Sequence, residues 1–330
     1  MKFVAKILVS CIIFLTASNL KAQTETYLQP FSGLLILNPA FAGYDKNTSF
    51  HSGNQYYSPA KDQSLNLFYV TYDTYSDKLK GGLGLTFQHG LIGDQNITLS
   101  KLGTSYAGSE IRTTIGSLIP SISAELSLAT KQWHTYLIDR IFDPKGDMPS
   151  PPGKQFNRYY IFKPGIGLLY ELNSSIWGFA ASFPLQFSLS DDTAEGIQNA
   201  GEIPVSLSFY FSKKVRGNRN GLASKQFLAY PEVILFYNKA FLLSRVSLYI
   251  EQENKVYGIF IQNDFTYNIH CIGGTFGWRR NNFKINLNTG VGIPGISNNI
   301  GVTGELSLNI IIPPVDYSKI NPWAPKRKLD

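Results

Sequence analysis

From about residue 47 onward the chain alternates apolar and polar positions with period two. In 284–293, Ile285, Leu287, Val291 and Ile293 alternate with Lys284, Asn286, Asn288, Gly290 and Gly292, with Thr289 the one exception. Val205, Leu207, Phe209 and Phe211 interleave with Ser206, Ser208, Tyr210 and Ser212; Leu306, Leu308 and Ile310 interleave with Glu305, Ser307 and Asn309. Leu83, Leu85 and Phe87 are set against Gly82, Gly84, Thr86 and Gln88, and Ile122, Ala124, Leu126 and Leu128 repeat the pattern in 121–128. A helix would spread such residues around its surface, whereas a strand sorts them onto two faces. Followed to the end, the pattern predicts an all-β chain of about fourteen strands. They fall at 47–55, 64–72, 81–89, 97–111, 119–132, 161–172, 176–186, 203–213, 225–237, 242–250, 256–262, 268–279, 283–293 and 303–312, with 97–118 open to one strand or two. Many run to about ten residues, the length a tilted strand needs to cross a bilayer.

The connections carry a second signal. Among the odd-numbered ones are the long stretches 133–160, 187–202 and 294–302, while the even-numbered ones are mostly tight: 172–176 around Asn173-Ser174-Ser175, 251–255 and 280–282, with 214–224 the long exception. Outer-membrane barrels have short periplasmic turns and longer external loops, whereas a soluble sandwich has no reason to obey such a parity. The expected fold is therefore an antiparallel transmembrane outer-membrane β-barrel over 47–312, with the N-terminus in the periplasm. Faces rich in Leu, Phe and Ile would meet lipid, and faces of Gly, Ser, Asn and Lys would line the interior. Tyr69, Tyr72, Trp177, Phe209, Phe211 and Trp278 are candidates for interfacial girdles, although strands favour aromatics in any setting. Past Ile312, the stretch 313–330 opens with Pro313-Pro314 and carries Lys326-Arg327-Lys328. It reads as an extended, basic periplasmic tail.

The first residues set the compartment. Lys2 and Lys6 precede an apolar run over 7–16, and Leu20-Lys21-Ala22 places a small residue before Gln23, which is the layout of a signal peptide spanning 1–22. Leu8-Val9-Ser10-Cys11 also fits a lipoprotein box, but the apolar run lies mostly beyond Cys11 rather than before it. The net charge of +7 includes Lys2, Lys6 and Lys21, so removing the leader leaves +4. Together with the basic tail, this puts much of the positive charge at the chain ends, not in the face or stripe that nucleic-acid binding needs. Cys271 would be the one cysteine left, which excludes an intrachain disulfide. Only 16 % of residues are charged and 14 % are aromatic, as suits a wall that meets lipid on one side and water on the other.

No catalytic constellation emerges. His51, His89, His134 and His270 have no metal-ligand spacing, and neither a Gly-x-Ser-x-Gly elbow nor a phosphate-binding glycine loop is present. No cofactor is expected, and the chain reads as a non-enzyme. Asp191, Asp192 and Glu195 share an external loop that reads as a solvated acidic stretch rather than a cation site. Asp143, Asp147 and 149–153 mark the longest loop, a candidate cargo surface. Cys271 alternates with the outward Ile272 and falls beside Gly273 and Thr275, and reads as a small inward residue.

Ahead of the first strand, in a periplasmic segment 23–46, stand Gln29-Pro30-Phe31, an apolar stretch over 34–37, and then Asn38-Pro39-Ala40-Phe41-Ala42-Gly43. Asn-Pro starts a turn, and Gly43 frees the backbone to bend into the first strand. On these grounds it is a lead-in segment that tucks into the barrel mouth. The tract resembles the N-terminal signature of the PorP/SprF-like membrane proteins of the Bacteroidetes type IX secretion system, in which a Gln-aromatic region precedes Asn-Pro-Ala-(Tyr/Phe)-Ala-Gly. Asn38, Pro39, Ala40, Phe41, Ala42 and Gly43 match throughout, and the specific match covers only some twenty residues of the chain. The resemblance implies an outer-membrane barrel that supports secretion or surface attachment of particular cargo. The partners it implies are outer-membrane lipids, a secreted cargo or surface adhesin, and periplasmic secretion-system lipoproteins; some members of the family take part in gliding motility. The remaining alternatives are a channel for small solutes and a structural or adhesive barrel.

Overall fold

The computed structural model describes residues 32–60, 63–92, 97–133, 155–188, 205–217, 227–238, 241–265, 268–293 and 301–313. The strands are β1 (Thr48–Ala60), β2 (Gln63–Ser76), β3 (Gly81–Ile92), β4 (Ile97–Ala107), β5 (Ile111–Arg112) and β6 (Ser117–Trp133). They continue with β7 (Gln155–Leu172), β8 (Ser175–Ser182), β9 (Leu185–Ser188), β10 (Ser206–Lys213), β11 (Val215–Gly217) and β12 (Phe227–Asn238). The last are β13 (Phe241–Gln252), β14 (Lys255–Asp264), β15 (Ile269–Arg280), β16 (Phe283–Gly292) and β17 (Val302–Ile312).

Three of these are continuations across a break. β5 resumes β4 against β6, β9 resumes β8 against β7, and β11 resumes β10 against β12. Each break lies at or beside a proline on the neighbouring strand: Pro120 opposite Gly108, Pro164 opposite Phe183, and Pro231 opposite Lys213, next to the break at Lys214. Proline has no N–H to give a ladder, so pairing is interrupted there; β9 and β11 resume in the same register, and β5 resumes one residue out of step. Counted as staves, the strands make a closed antiparallel barrel of 14. The question over 97–118 resolves into one interrupted stave. Closure comes from β1, which pairs β2 on one side and β17 on the other, from Thr48↔Ile312 to Ser58↔Val302.

At the rim where β1 begins, the two-residue turns after β7, β13 and β15 hold Asn173, Glu253 and Asn281 at φ of 51°, 54° and 50°. Positive φ at this position gives the turn whose twist matches that of the strands it joins. The longest connections, 134–154 and 189–205, join strand ends at the opposite rim, where the connections 61–62 and 239–240 are short.

Alternation sends Leu, Ile, Val and Phe outward on nearly every stave. Ile259 is 65 % exposed, Ile122 61 % and Leu102 58 %. An apolar belt around a barrel without edges is the form in which β structure crosses a membrane. Charging this belt should therefore be costly. Ile259→Arg, at the middle of β14, is expected to lower the free energy of folding into lipid vesicles by about 2–4 kcal/mol in urea titrations. An unchanged midpoint would remove the belt from contact with lipid.

Candidate functional site

The candidate site lies inside the barrel, built on the lead-in segment. At Ser32 the backbone N–H donates to Glu305 Oε1 of β17 at 3.1 Å, well inside the lumen. A single helical turn, α1 (Leu34–Leu37), follows, then a 3-10 turn over Pro39–Phe41, then Gly43 at φ +59°, from which the chain runs to the rim and into β1. Asn38 is 1 % exposed and uses both ends of its carboxamide. Oδ1 accepts from the Ala40 N–H at 2.9 Å and so caps the 3-10 turn, whose first position is Pro39. Nδ2 donates to the carbonyls of Leu168 on β7 and Phe179 on β8, at 3.2 and 3.1 Å. Proline suits the first position of such a turn because its missing N–H would have had no partner there.

Three further contacts hold the segment. Ser208 Oγ donates to the Leu37 carbonyl at 2.6 Å, the Gly43 N–H donates to Asp73 Oδ2 at 3.0 Å, and Phe41 meets Tyr210 edge-on at 5.2 Å. Leu37, Ala40 and Phe41 join Leu169, Tyr210, Ile234, Phe236 and Leu243 in one buried apolar cluster. Burying Phe41 alone contributes about 2–3 kcal/mol. The seat is made of bare backbone. A Cβ at Gly82 would overlap the Ala42 carbonyl and stand 2.9 Å from the Gly43 nitrogen. A Cβ at Gly167 would overlap Asn38 Oδ1 and stand 2.9 Å from Pro39 Cγ. Glycine on an inward strand position lets another backbone approach this closely.

Above the segment, inward side chains fill the lumen. Leu67, Tyr69, Arg245 and Phe260 are all at most 2 % exposed. Tyr69 Oη donates to Glu305 Oε1 at 2.8 Å, and the Arg245 guanidinium lies 3.7 Å over the Phe260 ring. Tyr57 on β1 donates to Asp264 on β14 at 2.7 Å, joining staves that are not neighbours. Glu125 stands 3.6 Å from Lys163 and 4.0 Å from Lys101. Buried ions persist when they are paired like this. At mid-height the described lumen is a packed interior, not a water column.

Below the packed layer, a chamber of about 640 Å³ opens towards the rim at which β1 begins. One wall is Thr71, Ser49, Asn309, Asn286 and Asn288 of β2, β1, β17 and β16; another is Tyr210, Tyr230, Glu232, Tyr249 and Glu251 of β10, β12 and β13. Phe41, Tyr44 and Asp45 of the lead-in segment close the third side. Burial raises the Tyr44 phenol above its ordinary pKa, and the Glu171 carboxylate raises it further. Burial also raises the Asp45 carboxyl, against the opposing pull of Arg279 and Lys214. Among the described residues no group of three or more His, Cys, Asp or Glu is placed to hold a metal ion.

No known protein-family profile matches this sequence, and no curated protein does either. Solved structures match by shape. The TodX ΔS2S3 monoaromatic hydrocarbon channel superimposes with a TM-score of 0.47 at 10 % identity, over 88 % of this chain and 96 % of that one. CdiB from Acinetobacter baumannii gives 0.40 at 10 % identity over 80 % of this chain and 60 % of CdiB, so the chain spans less than two thirds of that protein. The KdgM porin, in complex with disordered oligogalacturonate, gives 0.36 at 6 % identity over 79 % of this chain and 98 % of that one. Scores of this size mark no stave-for-stave equivalence, and nothing about ligand or partner passes from those proteins to this chain.

The structure gathers Asn38, Pro39, Ala40, Phe41, Ala42 and Gly43 into one buried unit within the lumen. Cys271 points inward at 1 % exposed, with Ile272 outward at 52 %. Tyr69 is a correction: it belongs to the packed lumen and not to a girdle, because Glu305 takes its hydroxyl inside the barrel. Tyr72 and Trp278 do face outward. The signal peptide, Asp143, Asp147, 149–153, Asp191, Asp192, Glu195 and the tail from residue 314 lie outside the described residues. Sequence reasoning missed the seat residues Gly82, Gly167, Asp73, Ser208 and Glu305. The Gly82-x-Gly84 and Gly165-x-Gly167 pairs on inward positions were a usable sign of close backbone approach.

Proposed function

We propose that the chain is a non-enzymatic outer-membrane barrel of the type IX secretion apparatus, supporting secretion or surface attachment of particular cargo proteins. One observation carries this reading: the tract that resembles the PorP/SprF-like signature, Asn38–Gly43, is the tract the lumen is built to seat. A lumen packed at mid-height also favours recognition at the rims and loops over conduction through the middle. Cargo or an adhesin would be held from outside, and periplasmic lipoproteins of the apparatus would meet the rim at which β1 begins.

Deleting the gene is expected to remove one or a few large proteins from the cell surface while uptake of small solutes stays normal, read by surface proteomics and solute uptake. Liposomes that admit solutes freely through this protein alone, with surface display intact in the deletion strain, would overturn the secretion reading. The chamber favours a second reading, an outer-membrane channel for small solutes, in which it is the inner vestibule of a path opened when the lead-in segment withdraws. That reading requires stepwise conductance from the wild-type protein in planar bilayers.

A further inference from the structure

We propose that the chamber at the rim where β1 begins is a binding site for a neutral glycan, either a short oligosaccharide or the end of a longer chain. At about 640 Å³ it lies within the range of small-ligand sites, roughly 300–1,000 Å³. Its two principal walls differ in kind. On the amide and hydroxyl wall, Thr71 Oγ1, Asn286 Oδ1 and Asn309 Oδ1 have no hydrogen-bond partner among the described residues. A ligand hydroxyl that reached one of these atoms would supply the hydrogen bond it lacks. Facing it, Tyr230 and Tyr249 are half-buried, and Tyr44 adds a third half-buried ring from the lead-in segment. Tyr249 is held in place by Arg245, whose Nη2 donates to its hydroxyl at 3.4 Å. Flat apolar ring faces opposite convergent neutral hydrogen-bonding groups suit a ligand with apolar C–H faces and a hydroxyl periphery.

Charge decides against the other ligand classes. Inside the chamber the ions answer one another: Glu251 takes Arg279 at 2.7 Å, Lys284 lies within electrostatic reach of Glu251 and Glu232, and Asp45 within reach of Arg279 and Lys214. An anionic ligand would meet Asp45, Asp73, Glu171 and Glu232 on the lining. A cationic one would first pass the exposed Lys46, Lys213, Lys214, Arg216, Arg279 and Arg280 of the rim. Among the described residues the buried lining atoms left without hydrogen-bond partners are neutral, and so is the ligand they fit.

The test uses the full chain in detergent micelles, with cellotriose, maltotriose and tri-N-acetylchitotriose as neutral probes and trigalacturonate and trilysine as charged ones. Saturation-transfer NMR and calorimetric titration are expected to show at least one neutral trisaccharide binding at millimolar concentration, more tightly than either charged probe. Asn309→Ala and Tyr249→Ala are each expected to weaken it on the order of tenfold, while Tyr249→Phe, which keeps the ring, retains it. Heat-modifiable gel migration reports that each variant is folded, and the wild-type titrations decide the first arm without any variant. If no neutral trisaccharide binds, if a charged probe is the tighter binder, or if folded variants bind as wild type does, the proposal fails.

Discussion

Gly82→Ala is expected to unseat the lead-in segment while leaving the barrel closed. The added methyl would stand inside the Ala42 carbonyl, and both colliding groups belong to backbone. Neither can rotate away: Ala42 is 2 % exposed and lies between the Asn38 anchor and the Gly43–Asp73 bond. Forcing an extra carbon into a filled interior typically costs 1–3 kcal/mol. Here the relief is for the segment to leave, which also gives up the burial of Phe41. β3 itself keeps its pairing with β2 and β4, because the methyl points into the lumen. Limited proteolysis with mass spectrometry should find new cuts within 32–46, and the urea midpoint should fall. Gly304→Ala is the control, since the nearest atom to its new Cβ is 3.9 Å away; strand alanine in place of glycine is then neutral or slightly stabilising. Equal proteolysis of wild type and Gly82→Ala would mean that the segment is not seated against β3.

Asn38→Asp separates the two tasks of the carboxamide. The new carboxylate still caps the 3-10 turn by accepting from the Ala40 N–H, but it has no hydrogen to give. Its second oxygen then faces the carbonyls of Leu168 and Phe179, at the positions Nδ2 now holds, 3.2 and 3.1 Å away. A buried charge without a partner destabilises by about 3–5 kcal/mol. The sign with pH follows. Burial and two facing carbonyls raise the folded pKa of the new group above its unfolded value of about 3.9. The penalty is therefore absent below that value, where the protonated acid can donate to a carbonyl, and grows as pH rises towards the folded pKa. Urea midpoints of wild type and Asn38→Asp should converge near pH 4 and separate by neutral pH. A gap that does not change with pH would place position 38 in water.

How far the sequence reaches can be judged strand by strand. Lys284–Ile293 and Val205–Ser212 have one apolar and one polar face, so period two alone settles which side meets lipid. β2 defeats the same rule. Leu65, Leu67 and Tyr69 are buried inward while Phe68 and Tyr72 face outward, so both faces of the strand are apolar. The expectation that polar groups alone line the interior assumed water there; a packed lumen recruits Leu99, Leu169 and Ile234 as any core would. The strand breaks were within reach, since Pro120, Pro164 and Pro231 stand in plain view, but which partner each proline interrupts depends on pairing. The seat of the lead-in segment was out of reach for a similar reason. Asn38 meets residues 130 and 141 positions away, and only the pairing and curling of the staves between them brings them together.

The segment's seat also bears on the order in which the chain comes together. Asp73, Gly82, Leu168, Phe179 and Ser208 all precede β12, so the first half of the barrel already offers most of the surface that Asn38–Gly43 occupies. The seam between Thr48 and Ile312 spans nearly the whole sequence and carries the largest loop-closure entropy. A nascent half-cylinder can therefore fold its own N-terminal tract into its concave side early, as a template against which the later hairpins curl. On that order β17 would bring Glu305 at the end, to take the Ser32 amide and complete the enclosure.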